Sequence, residues 1–363
     1  MPDVETGAVP AGVDLDALRP FFAEHVDGSA GGPLSASLIV GGRSNLTYVI
    51  SEDERSWVLR RPPLGHVLPT AHDMRREYQV LTALTGTDVP VPAPIAFCGD
   101  EAVIGAPFYV MTRIDGVVVR SADDAAGLSP DQARAASESL VEVLVRIHAV
   151  DPDAVGLGGF GRPQGYLERQ VRRWVEQWER SKTRELPVVD EVARRLRAAL
   201  PPPAGAGVVH GDYRLDNTIL DAADYGTVRA VVDWEMATLG DPLADLGLWI
   251  VYLSDAGALV VGRPGTQRSN PGFLGTDELA AAYARLSGRD LTTLDFYVVL
   301  GFLKLAVIAE GITARFLSGR TVGDDGKLGG RSEGLDQIAA SVPHLAGAAL
   351  AVADASELPG LRG

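Results

Sequence analysis

The stretch VVHGDYRLDNTILDAADYGTVRAVVDWE, residues 208–235, decides how this chain folds. VVHGD enters as a short apolar strand and TIL leaves as another. DAADYG is a turn rich in Asp and Gly, and TVRAVVDW follows it as a third strand. Asp212, Asn217 and Asp233 therefore each fall at a strand end or in a loop.

Outward from this run, the two sides of the chain differ in character. Within residues 35–61, SASLIV, LTYVI and WVLRR read as strands joined by a glycine-containing turn, GGRSN, and an acidic one, SEDERS. AHDMRREYQVLTALT carries Met74, Tyr78, Leu81 and Leu84 at helical spacing and is read as an amphipathic helix ended by VPVPAP. Two short strands, near IAFCG and PFYVMTRI, bring the count before Gly116 to five. From Ser129 onward the chain reads mostly helical. PDQARAASESLVEVLVRIHAV opens on a Ser N-cap with Pro130 at the first helical position, and QGYLERQVRRWVEQWERSKTRE, VVDEVARRLRAAL and DELAAAYARLSG are further helices. FYVVLGFLKLAVIA, from Phe296, is interrupted by Lys304 and is shorter than a bilayer requires, so it is expected to be a buried helix. Two Gly-rich polar segments, GRPGTQRSNPG from Gly262 and SGRTVGDDGKLGGRSEG from Ser318, are expected to be exposed loops, with a lid role left open.

The run from His210 to Glu235 resembles the aminoglycoside phosphotransferase and choline kinase superfamily, a branch of the kinase-like fold. Its hallmark is HGDxxxxN followed by a strand ending in D-W-E or D-F-E, matched here by His210, Gly211, Asp212, Asn217, Asp233, Trp234 and Glu235. The flanking words VLRRPPLGHVLPTAHDMRREY, VPVPAPIAFCGD, VIGAPFYVMTRIDG and WEMATLGDPLADLG are most similar to the phosphotransferase-like domain associated with acyl-CoA dehydrogenases, and they cover most of residues 35–250 in the family order. The resemblance implies an α+β, protein-kinase-like two-lobed fold. A five-stranded antiparallel N-terminal lobe would occupy residues 1–115, with residues 1–34 a partly flexible lead-in and first helix. A mainly helical lobe, residues 116–363, would carry the catalytic and metal loops and the acceptor site, with nucleotide between the lobes.

What the resemblance implies for chemistry is phosphoryl transfer from ATP with Mg²⁺. The Asp212-to-Asn217 interval is that of the protein-kinase catalytic loop, and Asp233 follows a β-branched strand as the kinase metal Asp does. Asp212 is then the residue that orients a hydroxyl and takes its proton, while Asn217 and Asp233 hold the metal. Gly41, Gly42, Arg43, Ser44 and Asn45 form the expected nucleotide loop, because backbone amides can approach phosphate where side chains are small. Most relatives place a Lys where this chain has Arg60; Arg keeps the charge but reaches differently, and Glu77 is its expected partner, the alternative being two unrelated surface charges. Met111 and Arg113, at the hinge expected near residues 111–116, complete the expected nucleotide contacts. His210 and His148 are expected to be structural, Glu235 to order the metal loop, Asp241 and Asp245 to cap or brace the following helix, and Trp174 and Trp178 to be core or groove wall.

Composition bounds the reading. A formal net charge of −15 opposes wrapping nucleic acid, so no nucleic-acid partner is expected, and a nucleotide must be held by local groups. Cys98, the single cysteine, cannot form an internal disulfide and is read as an apolar core residue, in keeping with a reducing cytoplasm. MPDVETGAVPAGVDL has neither a basic start nor a continuous apolar stretch, so neither a secretory signal nor membrane insertion is expected. The expected partners are nucleotide and a small-molecule acceptor, in a monomer or homodimer. By kinship the acceptor is a hydroxyacyl compound or its CoA thioester. An aminoglycoside acceptor, or a non-catalytic nucleotide-binding role, stays open.

Overall fold

A computed structural model of the chain describes residues 4–5, 9–39, 45–64, 72–260, 267, 269–318 and 331–363. Gly41, Gly42, Arg43 and Ser44 of the expected nucleotide loop lie outside the described residues, as do 262–266, 268 and 319–330 of the two Gly-rich segments. The chain divides into two compact units. The first comprises Met1–Val118, Asn217–Ala223 and Val228–Ala237; the second comprises Val119–Asp216, Asp224–Thr227 and Thr238–Gly363.

In the first unit the order is β1 (Val4–Glu5), α1 (Leu15–His25), β2 (Ser35–Ile39), β3 (Leu46–Glu52), β4 (Arg55–Arg61), α2 (Met74–Leu84), β5 (Pro94–Cys98) and β6 (Phe108–Thr112). They form an antiparallel sheet in the order β1-β2-β3-β4-β6-β5. The five strands expected from the sequence are present. The sixth, β1, pairs Val4 with Ile39 and Glu5 with Leu38 inside the lead-in expected to be flexible; two residues are too few for a hydrophobic alternation to announce. Side-chain alternation sorts the two faces of β4. Trp57 and Leu59 join Tyr48, Ile50, Phe108 and Val110 in an apolar core that Leu18 and Phe22 of α1 close. Arg60, one residue on, is turned to the opposite face together with its cross-strand neighbour Tyr109. There α2 starts at Asp73, whose carboxylate accepts from the backbone N–H of Arg75 and Arg76, and it buries Met74, Glu77, Val80, Leu81 and Leu84.

The second unit opens with α3 (Ala122–Ala126), α4 (Pro130–Ala149), α5 (Tyr166–Ser181), α6 (Pro187–Ala198) and β7 (Gly207–Val209). Beyond the hairpin of β8 (Thr218–Leu220) and β9 (Val228–Val231) come β10 (Thr238–Gly240), α7 (Leu243–Leu253), α8 (Asp255–Val260), α9 (Thr276–Ser287), α10 (Leu294–Leu317) and α11 (Arg331–Ala355). Helix α4 begins as the sequence expects, with Ser129 as N-cap and Pro130 as the first helical residue, and the structure adds Gln132, whose side chain caps the Ser129 N–H in return. Helix α10 packs against α5, α7 and α11. By length and composition it and residues 335–355 are long and apolar enough to cross a membrane, but 83% of the apolar window of α10 is buried inside the fold. Asp241 lies one residue further out than the N-cap expected of it. Pro242 occupies the cap position of α7, and the Asp241 carboxylate accepts from Leu243 N at 3.1 Å, Ala204 N at 2.8 Å and the Tyr297 hydroxyl at 2.8 Å, tying three segments together.

The hairpin of β8 and β9 belongs with the sheet unit, although the sequence reading grouped everything after residue 115 with the helices. Backbone bonds are the reason. Val231 N donates to Pro90 O at 2.8 Å, and Val117 and Leu220 exchange N–H···O bonds of 2.8 Å.

Candidate active site

The register of the hairpin places Thr218 opposite Val231. Val232 N then donates to Asn217 O at 2.9 Å, so the chain leaving β9 delivers Asp233 next to Asn217. Asp233 itself has a φ of 68°, a left-handed conformation uncommon outside Gly and Asn, which turns the chain into the short 3₁₀ turn Trp234–Met236. A buried amide and a carboxylate with hard oxygen donors thus stand at one hairpin end.

Toward them reaches Arg60 from β4. Its Nε lies 2.9 Å from Glu77 Oε2, its terminal nitrogen bonds Asp233, and Glu235 stands 3.9 Å away. Glu77, the polar residue within the buried stripe of α2, accepts from the Tyr109 hydroxyl and from Asn45 Nδ2, both at 2.9 Å. Asn45 also donates to Glu235 at 3.0 Å, and its carbonyl oxygen meets His72 Nδ1 at 2.8 Å. The buried carboxylate therefore has a hydrogen-bond or ionic partner on each oxygen, as a charge out of water requires. Burial works against the charge of Arg60, but Glu77 and Asp233 outweigh it and hold its pKa above the ordinary guanidinium value. Burial likewise pushes Glu77 up, with Arg60 opposing. The expected Arg60–Glu77 pair is thus formed and buried. The Asn45 side chain, at the end of the expected nucleotide loop, braces Glu77 and Glu235. Met111 lies buried in β6 opposite Val58. Arg113 donates to Ser56 Oγ at 3.3 Å and stands 3.4 Å from Asp115.

In the second unit the loop after β7 presents Asp212. Gly211 turns the chain at a φ of 84°, a conformation open to Gly. The backbone N–H groups of His210 and Gly211 both donate to Asp245 of α7 at 2.7 Å. Asp245 is buried and meets His148 Nε2 at 3.2 Å; His148 Nδ1 in turn meets the Tyr283 hydroxyl at 2.7 Å. Burial opposes ionisation of Asp245, yet its hydrogen bond from His148, the charge of His148 and the backbone N–H of Gly211 together depress its pKa. His210, buried, accepts from Asp212 N at 3.2 Å. The Asp212 carboxylate receives the Tyr252 hydroxyl, and Arg214 Nε lies 3.4 Å from its other oxygen while the guanidinium stacks 5.2 Å from the Tyr252 ring. Lys304 of α10 donates to Gly211 O at 2.7 Å.

Asp245, Tyr252 and Lys304 make contacts here that the sequence does not announce. Asp245 was legible within GDPLADLG but braces the HGD loop instead of its own helix. Tyr252, 40 residues from Asp212, carries no local signal, and Lys304, visible as a charge that interrupts an apolar run, gives no hint of its partner 93 residues earlier.

No group of three or more His, Cys, Asp or Glu able to hold a metal occurs among the described residues. One Asp and one Asn form a sparse, all-oxygen set. That set suits Mg²⁺, which keeps waters and takes phosphate oxygens, better than a metal needing a protein cage. The fold is that of the kinase-like phosphotransferases, with an antiparallel sheet unit that carries Asn217 and the D-W-E word and a helical unit that carries HGD.

The phosphotransferase enzyme family APH matches residues 35–297, and the chain belongs to that family. Acyl-CoA dehydrogenase family member 11 of Rattus norvegicus is 33% identical over 322 residues, 87% of this chain and 41% of the relative. The chain thus spans about two fifths of that relative's length. Among solved structures, a Ralstonia eutropha protein provisionally assigned as an aminoglycoside phosphotransferase is 31% identical with a TM-score of 0.77, covering 93% of this chain and 98% of the other. A ternary complex of aminoglycoside phosphotransferase APH(4)-Ia with AMP-PNP and hygromycin B, 16% identical with a TM-score of 0.55 over 91% of this chain and 97% of the other, shares the fold.

Proposed function

We propose that this protein is an ATP- and Mg²⁺-dependent kinase that transfers the γ-phosphoryl group to a hydroxyl of a small metabolite, a hydroxyacyl compound or its CoA thioester. The observation that carries the reading is the buried Arg60–Glu77 pair with Arg60 reaching Asp233, which joins a phosphate-binding cation, its orienting carboxylate and the metal carboxylate in one network. Asn217 and Asp233 would hold Mg²⁺, and the ion, when bound, neutralises charge on the phosphates. Arg60 binds phosphate oxygens. Asp212, with one oxygen fixed by Tyr252, orients the acceptor hydroxyl and takes its proton as the oxygen attacks the γ-phosphorus and the bond to the ADP oxygen breaks. Similarity to an acyl-CoA dehydrogenase family member supports the hydroxyacyl class. The single buried cysteine supports a reducing compartment, the cytoplasm.

The test is a screen of the purified chain with γ-labelled ATP against hydroxyacyl-CoAs, aminoglycosides, choline, homoserine and ketosamines. Transfer to hydroxyacyl compounds is expected. Transfer to an aminoglycoside with none to a hydroxyacyl compound would refute the substrate class, and full activity in Asp212→Asn would refute the role of Asp212.

A further inference from the structure

Trp174 is buried in α5, yet two cations stand against its ring: Arg173 Cζ at 5.5 Å from the centroid and Lys304 Nζ at 5.8 Å. Lys304 comes from the middle of α10, in an apolar run between Phe296 and Ala309 where a charged side chain is costly unless its head is put to use. The ammonium gives one N–H to Gly211 O, the carbonyl just ahead of Asp212, and its two other donors meet no acceptor among the described residues. Arg173 is exposed. Among the described residues neither cation makes a salt bridge. Burial lowers the Lys304 pKa, Asp212 and Asp245 oppose that, and the charge of Arg173 adds to it. In a chain with a net charge of −15, two mutually repelling cations are thus kept at one indole beside Asp212.

We infer that Arg173 and Lys304 form an anion subsite over Trp174, so that the acceptor is a hydroxyl compound bearing a carboxylate or a phosphate and not a polycation. The inference rests on the reading of Asp212 as proton acceptor and gives its substrate a charge. An anion offsets the repulsion between the two cations and takes the free donors of Lys304. A polycation meets like charge at the same place, which costs it binding.

Calorimetric titration of the full chain tests this with 3-hydroxybutyrate, glycerol 3-phosphate and 3-hydroxybutyryl-CoA as anions, 3-hydroxybutyramide and glycerol as neutral counterparts, and kanamycin as the polycation. The carboxylate and phosphate arms identify the anion. At least one anion should bind, about tenfold or more tightly than its neutral counterpart and than kanamycin. Arg173→Gln and Lys304→Met should each weaken it by about tenfold, and Arg173→Lys should restore most of the loss. Absence of binding by every anion, equal binding of the neutral compounds or kanamycin, or unchanged anion affinity in both variants would overturn the subsite. MgATP titrated in parallel separates the two readings. Its binding should be unchanged in the variants, and a wild type that does not bind MgATP refutes the kinase reading itself, and with it the basis of the subsite.

Discussion

Tyr252 gives its phenolic proton to the same carboxylate that the proposed reaction uses to accept one. Burial pushes its pKa well above the ordinary phenol value, so it remains a donor at neutral pH, and Asp212 is left with one oxygen fixed and the other facing Arg214. Tyr252→Phe removes a hydrogen bond to a charged group, worth about 1.5–3 kcal/mol, so turnover should fall about 10- to 100-fold. MgATP affinity should not change; single-turnover rates alongside calorimetry check both, and an unchanged rate would show that the phenol does not orient the base. At Arg60 two effects meet. Arg60→Ala strands Glu77, only 1% exposed, without its cation, and should cost about 3–5 kcal/mol in urea unfolding. Arg60→Lys keeps a charge and should cost less in stability while using ATP better than the Ala variant. Equal, near-wild-type behaviour of both variants would mean the pair does neither job.

At the scale of elements, the HGD loop is held by α7. Asp245 is a buried carboxylate with depressed pKa, so its contribution to stability is fully present above the unfolded-state value near pH 4 and is lost as pH falls through the lower folded value. Asp245→Asn should therefore lower stability at neutral pH and flatten the acid limb below about pH 4. Urea midpoints at several pH values measure it, and parallel curves for the two proteins would count against the clamp. Asp245 also marks the limit of what the sequence discloses. The word GDPLADLG gives a helix start, and capping chemistry accounts for Asp241 and Asp245 locally, but the N–H groups that Asp245 receives lie 34 and 35 residues earlier in the chain. Where a signal is local, in the Ser129 N-cap with Pro130 after it, the strands of the meander and the amphipathic stripe of α2, sequence and structure agree.

For the whole molecule, the fold was legible because several weak words fall in the family order over most of the chain, whereas single pairings were not. The Arg60–Glu77 contact could be inferred from strand-then-helix order. Its extension to Asp233, 173 residues away, and the network through Asn45, His72 and Tyr109 arise only when hairpin and sheet pack in one unit. The acidic composition suggested nothing about the two cations at Trp174, since net charge does not locate a charge in space. The central claim is that this network and the adjoining Asn217 bind a magnesium nucleotide while Asp212 serves the acceptor. Calorimetric titration of ATP into the wild type, Asp233→Ala and Asp212→Asn, each with Mg²⁺ and with EDTA, tests it most directly. The account predicts binding that depends on Mg²⁺, is lost in Asp233→Ala and is retained in Asp212→Asn; ATP binding that is indifferent to both Mg²⁺ and Asp233 would contradict it.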